Sequence, residues 1–216
     1  MMQKEKLLNL LELNKSTYGR FFSYHNFFYI KLYGDIMYLI SDGGITSCNI
    51  SNTFDAIMLT KNIDYIDGIK LDLQMTKDKI IVLFPKNELE TITYSNKKIS
   101  EENYSYIRKV KFPSHIFHYY IPTLEEILYR YNYEKIIVLN IPHHSKINSL
   151  LEELSKIIQK YPYKYYYSLE NNLDMDLLKN NKLLEIGSLI DNNFIITKDP
   201  KKYYEHGSSF DNNFNL

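Results

Sequence analysis

"DGIKLDLQMTKDKIIVLF", Asp67 to Phe84, decides the fold. Ile69, Leu71 and Leu73 alternate with Lys70, Asp72 and Gln74, the period of a strand with one face in a core. Thr76-Lys77-Asp78 interrupts the alternation as a tight turn, and "KIIVLF" (79–84) resumes it as a second strand. Residues two apart in a strand share a face. Lys70 and Asp72 therefore stand together, about 6–7 Å apart at the backbone, near enough for their side chains to pair. A slip of one residue would turn every side chain to the other face. Recovering Asp67 or Asp78 as the inward acid in that way would also lose the turn, so this strand has one register; the looser "PKNELE" (85–90) leaves its own register open.

Working outward, short β-rich runs recur with helical patterns between them, the signature of βα units and a parallel sheet. Besides 66–74 and 79–84, the strands are expected at "IMYLIS" (36–41), "KIIVLNI" (135–141), "KYYYS" (164–168), "KLLEIGSLI" (182–190) and "FIIT" (194–197). Helices are expected near 3–14, 52–62, 100–110, 123–133, 145–160, 171–181 and 198–205. The clearest start is "IPTLEEIL", where Thr123 caps, Glu126 closes a capping box and Pro122 stops growth backwards. With 216 residues, one domain is expected. It divides into an N-terminal helix and aromatic segment (1–35) packed on the main body, a body over 36–206 with an insertion at about 85–121, and a polar flexible tail (207–216).

Twenty-six basic and twenty-six acidic residues cancel, which removes any general field toward nucleic acid or an anionic surface. A nucleic-acid partner is not expected. Cys48, the single cysteine, cannot make an internal disulfide and has no neighbouring His to activate it. No apolar run reaches the roughly 20 residues of a membrane span, although "FFSYHNFFYIKLY" (21–33) is aromatic enough to touch a surface. A cytoplasmic protein is the expectation.

In order along the chain stand "SDGG" (41–44), "SNTFDA" (51–56), "KLDLQMTKDK" (70–79), "LFPKNELETIT" (83–93), "IPTLEEIL" (121–128), "VLNIPHH" (138–144), "YYSLE" (166–170) and "FIITKDP" (194–200). Together they resemble the glycerophosphodiester phosphodiesterase family. Its strands end in His-Arg-Gly, then Glu-Leu-Asp-Val before Thr-Lys-Asp-Gly, and later in Asn-Ile-Glu and Ile-Ile-Thr-Asp; Glu-Asn-Thr opens its first helix. The resemblance runs from about residue 36 to 204. It implies an α/β, TIM-like (β/α) barrel with a small insertion after the third strand and a place in glycerophospholipid metabolism. One βα module is missing: only Asp191, Asn192 and Asn193 stand where the family has a further helix and strand. A barrel short of one strand must close with seven or gape at a seam, since strand number, tilt and shear are linked.

The resemblance also locates a site at the C-terminal strand ends, where such barrels do their chemistry. The family holds Ca²⁺ or Mg²⁺ with carboxylates and moves protons with two histidines. Here Asp72 is the sole retained metal-ligand position. The glutamate before it is Lys70, that of Glu-Asn-Thr is Ser51 with Asn52 and Thr53 kept, and that of the fourth strand is Pro142. The first histidine is Asp42, its arginine neighbour is Gly43, the later His-Asp pair is Pro85 and Lys86, and the phosphate-contacting lysine is His144. No metal cofactor is expected, because one carboxylate is too few oxygen ligands for either ion.

Three readings follow. In the first, the protein is a pseudoenzyme in which Lys70, Asp72, Lys86, His144 and Asn52 hold a small phosphate or glycerophosphodiester without metal. In the second, a divergent phosphodiesterase uses His144 as general acid and Asp42 as general base. In the third, the barrel is a scaffold presenting its aromatic insertion to a protein partner that the sequence does not name. Against the first stands a plain internal ion pair between Lys70 and Asp72, without function. His115 and His118 bracket Ile116 and Phe117 and read as packing, His143 points away from the axis if His144 points in, and Gly43-Gly44 fits a tight strand exit.

Overall fold

The alternation around Asp72 produces the central strand of the sheet. The computed structural model describes residues 38–47, 49–113, 119–131, 135–143, 146–169, 175–191 and 194–201, all within one unit, Met37–Leu216. The expectations for residues 1–35, Cys48, His115, His118, His144 and the tail 207–216 lie outside the described residues.

The strands are β1 (Tyr38–Asp42), β2 (Gly68–Met75), β3 (Ile81–Leu83), β4 (Ile136–Ile141), β5 (Tyr165–Leu169), β6 (Gly187–Leu189) and β7 (Phe194–Thr197). The helices are α1 (Phe54–Leu59), α2 (Tyr104–Ile107), α3 (Leu124–Tyr131), α4 (Ile147–Lys160), α5 (Met175–Asn180) and α6 (Leu183–Ile186). The sheet runs β6-β5-β4-β2-β1-β7, with every neighbour on this path parallel and β3 antiparallel on the end of β2. It is a parallel sheet curled into a half-barrel, the shortened (β/α) barrel that the sequence implied. Among the described strands the sheet ends at β6 and β7, the two strands that flank Asp191–Asn193.

Period-two alternation sorts the side chains onto two faces. Ile69, Leu71 and Leu73 of β2, Ile137, Leu139 and Ile141 of β4, and Tyr165 and Tyr167 of β5 are buried against Leu124, Ile127 and Leu128 of α3 and Leu150, Leu151 and Leu154 of α4. On the inner face Ile40, Ile136 and Val138 are buried, with Tyr38, Tyr166, Phe194 and Ile196 half-buried over them. Gly68 is required between these two layers of contact, because a Cβ there would collide with the backbone and side chain of Ile136. The segment after β3 has its own small core of Phe84, Leu89, Ile99, Ile107, Val110, Phe112 and Ile121.

Two expected elements differ. The strand read over 182–190 is α6 followed by the short β6. Its apolar run fits a helical turn, because Leu183 is buried and Leu184 and Ile186 pack on the helix-side core; a short apolar run does not distinguish the two periods. The helix read over 100–110 shrinks to a 3-10 turn, Ile99–Glu101, and the single turn α2. Thr123 does cap α3, accepting from the Glu126 N–H at 3.0 Å. The Glu126 carboxylate, however, accepts from the Tyr120 hydroxyl at 2.7 Å instead of completing the box.

The β2–β3 turn is tied by the Thr76 hydroxyl, which donates to Asp78 Oδ1 at 2.6 Å and accepts from the Ile80 N–H at 3.0 Å. Lys79 closes it with φ +64°, a left-handed conformation where the family pattern has glycine. A residue bearing a Cβ is strained there by roughly 1–2 kcal/mol. Lys79→Gly should therefore stabilise the fold by about 0.5–1 kcal/mol after the added chain entropy of glycine. The urea midpoint should rise with an unchanged denaturant slope.

Candidate functional site

Backbone register brings the polar residues together. Pairing of β1 with β2 sets Asp42 beside Lys70, and pairing of β2 with β4 sets Asp72 beside Asn140. All four are inner-face positions at the C-terminal strand ends. After Asp42 the chain leaves through Gly43 (φ +71°) and Gly44 (φ +96°). The Gly43 N–H continues the ladder to the Lys70 carbonyl at 2.9 Å, and its own carbonyl accepts from the Asn52 N–H at 2.8 Å. A Cβ on Gly43 would overlap the Ser51 hydroxyl, and one on Gly44 would enter the α1 backbone at Ala56. No side chain fits at either position.

This exit presses Ser51 and Asn52 onto β2. Asn52 is 1% exposed and adopts φ +62°, a conformation that asparagine tolerates better than most residues. Its amide grips Asp72 twice: Nδ2 donates to Asp72 Oδ2 at 2.7 Å, and Oδ1 accepts from the Asp72 N–H at 3.0 Å. Asn140 Nδ2 donates to Asp72 Oδ1 at 2.8 Å. Lys70 Nζ lies 3.6 Å from the same Asp72 oxygen and 3.1 Å from Oδ1 of Asp42. That Asp42 oxygen is buried and, among the described residues, has no donor in hydrogen-bond line, so the ammonium serves it as a charge rather than as an aligned N–H. Burial alone would lower the Lys70 pKa, but Asp72 and then Asp42 outweigh it and hold the value above that of an ordinary lysine.

The anticipated same-face pair of Lys70 and Asp72 is therefore present, with Asp42 as a third member and Asn52 as its clamp. Lys86 is exposed in the segment after β3, with no hydrogen bond or ion pair to the cluster among the described residues. Pro142 is buried just beyond β4. Sequence reasoning passed over Asn140 and Ser51 as functional positions. The signal for Asn140 was in "VLNIPHH", whose Asn aligns with the family's Asn-Ile-Glu, combined with the β2–β4 register.

The cluster does not suit a divalent cation. Two amides aim N–H groups at Asp72, an ammonium occupies the space between two carboxylates, and hard cations need several free oxygens. Among the described residues no group of three His, Cys, Asp or Glu side chains could hold a metal ion.

A curled parallel sheet with helices on its outer face and a polar cluster at the C-terminal strand ends defines a TIM-barrel-type protein. The model of the glycerophosphoryl diester phosphodiesterase family matches residues 44–188, and the chain belongs to that family. Among solved structures it is similar to a glycerophosphodiester phosphodiesterase from Agrobacterium tumefaciens (14% identity, 71% of this chain and 66% of that one, TM-score 0.58). It is also similar to a phosphodiesterase from Oleispira antarctica in complex with the product sn-glycerol-3-phosphate (16% identity, 71% and 65%, TM-score 0.60). A third is the glycerophosphodiester phosphodiesterase of Thermotoga maritima (21% identity, 72% and 63%, TM-score 0.54). The chain spans just under two thirds of the length of each of these proteins. No curated protein matches the sequence.

Removing the ammonium leaves two carboxylates facing each other in a half-buried site. Lys70→Met should cost about 2–3 kcal/mol, below the full value for a completely buried pair because both ends retain some solvent contact. The sign with pH follows from the raised lysine pKa: its stabilisation is complete below about pH 10.4 and is lost as pH rises through the higher folded-state value. Urea unfolding should show a wild-type advantage over Lys70→Met at pH 7 that shrinks above about pH 10.5.

Proposed function

We propose that this protein is a non-hydrolytic member of the family, a pseudoenzyme of glycerophospholipid metabolism that binds a small glycerol-phosphate-type ligand without metal. One observation carries the reading: the Lys70 ammonium stands between Asp42 and Asp72. A fixed ammonium is a Lewis acid for neither water nor phosphorus, so it supplies charge without generating a nucleophile. The positions that would transfer protons support the same reading. Asp42 is engaged with Lys70, and Pro85 and Lys86 stand where the His-Asp pair of the family pattern would be.

The bound sn-glycerol-3-phosphate of the Oleispira antarctica structure supports the ligand class. Two carboxylates and one ammonium leave the cluster with a net negative charge, so an anion has to displace one carboxylate from Lys70. Asp42 is the one that yields. Asp72 is fixed by three hydrogen bonds with two asparagines, two accepted by its carboxylate and one donated by its N–H, whereas Asp42 Oδ1 has only its contact with the ammonium among the described residues. In the ligand complex a phosphate oxygen takes the place of Asp42 on Lys70, and Lys86, free on the adjacent segment, adds a second positive charge.

The test is thermal denaturation with sn-glycerol-3-phosphate in the presence of a chelator. The ligand should raise the melting temperature of the wild type, Lys70→Ala should abolish the rise, and Asp42→Asn should enlarge it by removing the competing carboxylate. Hydrolysis of glycerophosphocholine dependent on Ca²⁺ or Mg²⁺ would overturn the non-hydrolytic reading. An unchanged shift in Lys70→Ala would overturn the assignment of the ligand to this cluster.

A further inference from the structure

Although basic and acidic residues balance over the whole chain, they do not balance over the segment that follows β3. Residues 84–121 carry six basic side chains and four acidic ones, and five of the bases (Lys97, Lys98, Arg108, Lys109, Lys111) fall within 94–111 against Glu101 and Glu102, with Glu88 bridged by backbone to Lys98. Glu102 is already engaged with Lys97 at 3.5 Å and Glu101 with Lys98 at 3.9 Å. Arg108 lies over the Tyr120 ring, 5.7 Å from its centroid. Lys109 and Lys111 are exposed and have no acidic partner among the described residues.

Two tyrosines stand in the same patch with their rings in solvent, Tyr94 at 73% and Tyr106 at 41% exposure. Hydrogen bonds hold the members side by side. The Tyr94 N–H donates to the Lys111 carbonyl at 3.4 Å, the Ser95 and Tyr106 hydroxyls are 3.1 Å apart, and the Lys97 N–H donates to the Ser95 hydroxyl at 3.3 Å. Beneath them lies the separate apolar core of Leu89, Ile99, Ile107 and Val110, so the patch is a built platform rather than a loose loop.

We infer that this platform docks the protein on the surface of an anionic phospholipid bilayer. Tyrosine suits the interfacial zone, with its ring at the acyl boundary and its hydroxyl in the headgroups, and lysine reaches phosphate and carboxylate headgroups along its aliphatic stem. Two free lysines and two rings are too few for a run of nucleic-acid phosphates, and the neutral chain offers no wider field to add to them. The segment that carries the platform leaves β3 beside Asp72, whose carbonyl accepts from the Phe84 N–H at 3.0 Å, and the platform itself is tied just past the end of β2, where the Lys77 N–H donates to the Glu102 carbonyl at 2.9 Å. Docking there would hold the barrel mouth close to a lipid surface.

Co-sedimentation of the full chain with vesicles tests this. The protein should pellet with vesicles of phosphatidylcholine and phosphatidylserine in equal parts, remain in solution with phosphatidylcholine alone, and be released by raised salt. Lys109→Ala with Lys111→Ala should weaken partition about thirtyfold, and Tyr94→Ala should weaken it without changing the salt dependence. These side chains are exposed, so unchanged melting temperatures would show that the variants fold. Equal pelleting with both vesicle types, undiminished pelleting of the lysine variant, or tighter binding to single-stranded RNA than to the anionic vesicles would each overturn the inference. None of these results depends on ligand binding at Lys70.

Discussion

The Lys70 ammonium is the constraint around which the mouth of this half-barrel is arranged. Asp42 and Asp72 project from neighbouring parallel strands onto the same inner face, where two like charges without a cation between them would repel in a medium poorer than water at screening. A lysine placed between them on β2 removes that repulsion with a charge belonging to the chain itself. The cation is therefore present at any metal concentration, and its contribution enters the folding free energy rather than a binding equilibrium. Asn52 and Asn140 complete the arrangement by taking up the oxygens of Asp72. With these hydrogen bonds satisfied, burying Asp72 in this site no longer carries the cost of an unpaired acid.

The glycine exit from β1 belongs to the same arrangement. Gly43 has no room for a side chain because the Ser51 hydroxyl fills the space where its Cβ would lie. Ser51 in turn precedes the left-handed Asn52 that clamps Asp72. The arginine of the family pattern therefore meets two obstacles at position 43, a left-handed φ of +71° and the Ser51 hydroxyl. A side chain at position 43 requires Ser51 to move, and moving Ser51 disturbs Asn52.

Much of the fold was legible because strand alternation is a strong signal. The runs around Leu71, Leu139 and Ile196 were read as strands of a parallel sheet, and the sheet contains all three as parallel strands. The pairing of Lys70 with Asp72 was legible for the same reason, since residues two apart share a face. The contribution of Asn140 lay in a long-range register between β2 and β4 that no local pattern encodes, and the attachment of Asp42 to Lys70 depended on the register between β1 and β2. "KLLEIGSLI" was misread because its apolar residues satisfy a helical turn and a strand equally, and the helix-side core, where Leu183 is buried, selected the helix. A lysine in a turn gives no sign of a left-handed backbone, so the strain at Lys79 was legible only through the glycine that the family pattern has there.

The seam and the site are on separate parts of the sheet, which bears on why the site differs from the family pattern. Asp42, Lys70, Asp72 and Asn140 come from β1, β2 and β4, three consecutive neighbours whose ladders are intact. Among the described strands the sheet ends at β6 and β7, beyond those strands on either side. Phe194 of β7 reaches Tyr166 of β5, a strand it does not pair with, with ring centroids 4.6 Å apart, while its contact with Tyr38 at 5.2 Å follows the β1–β7 ladder. This one aromatic contact joins inner-face positions on β5 and β7 that no ladder connects, and such a pair is worth about 0.5–1.5 kcal/mol beyond its buried area. A shortened barrel held in this way can keep the geometry of β1, β2 and β4. The missing strand therefore does not account for the lysine at position 70 or the serine at position 51. Those substitutions have their own physical logic at the mouth, where an internal cation stands between two acids.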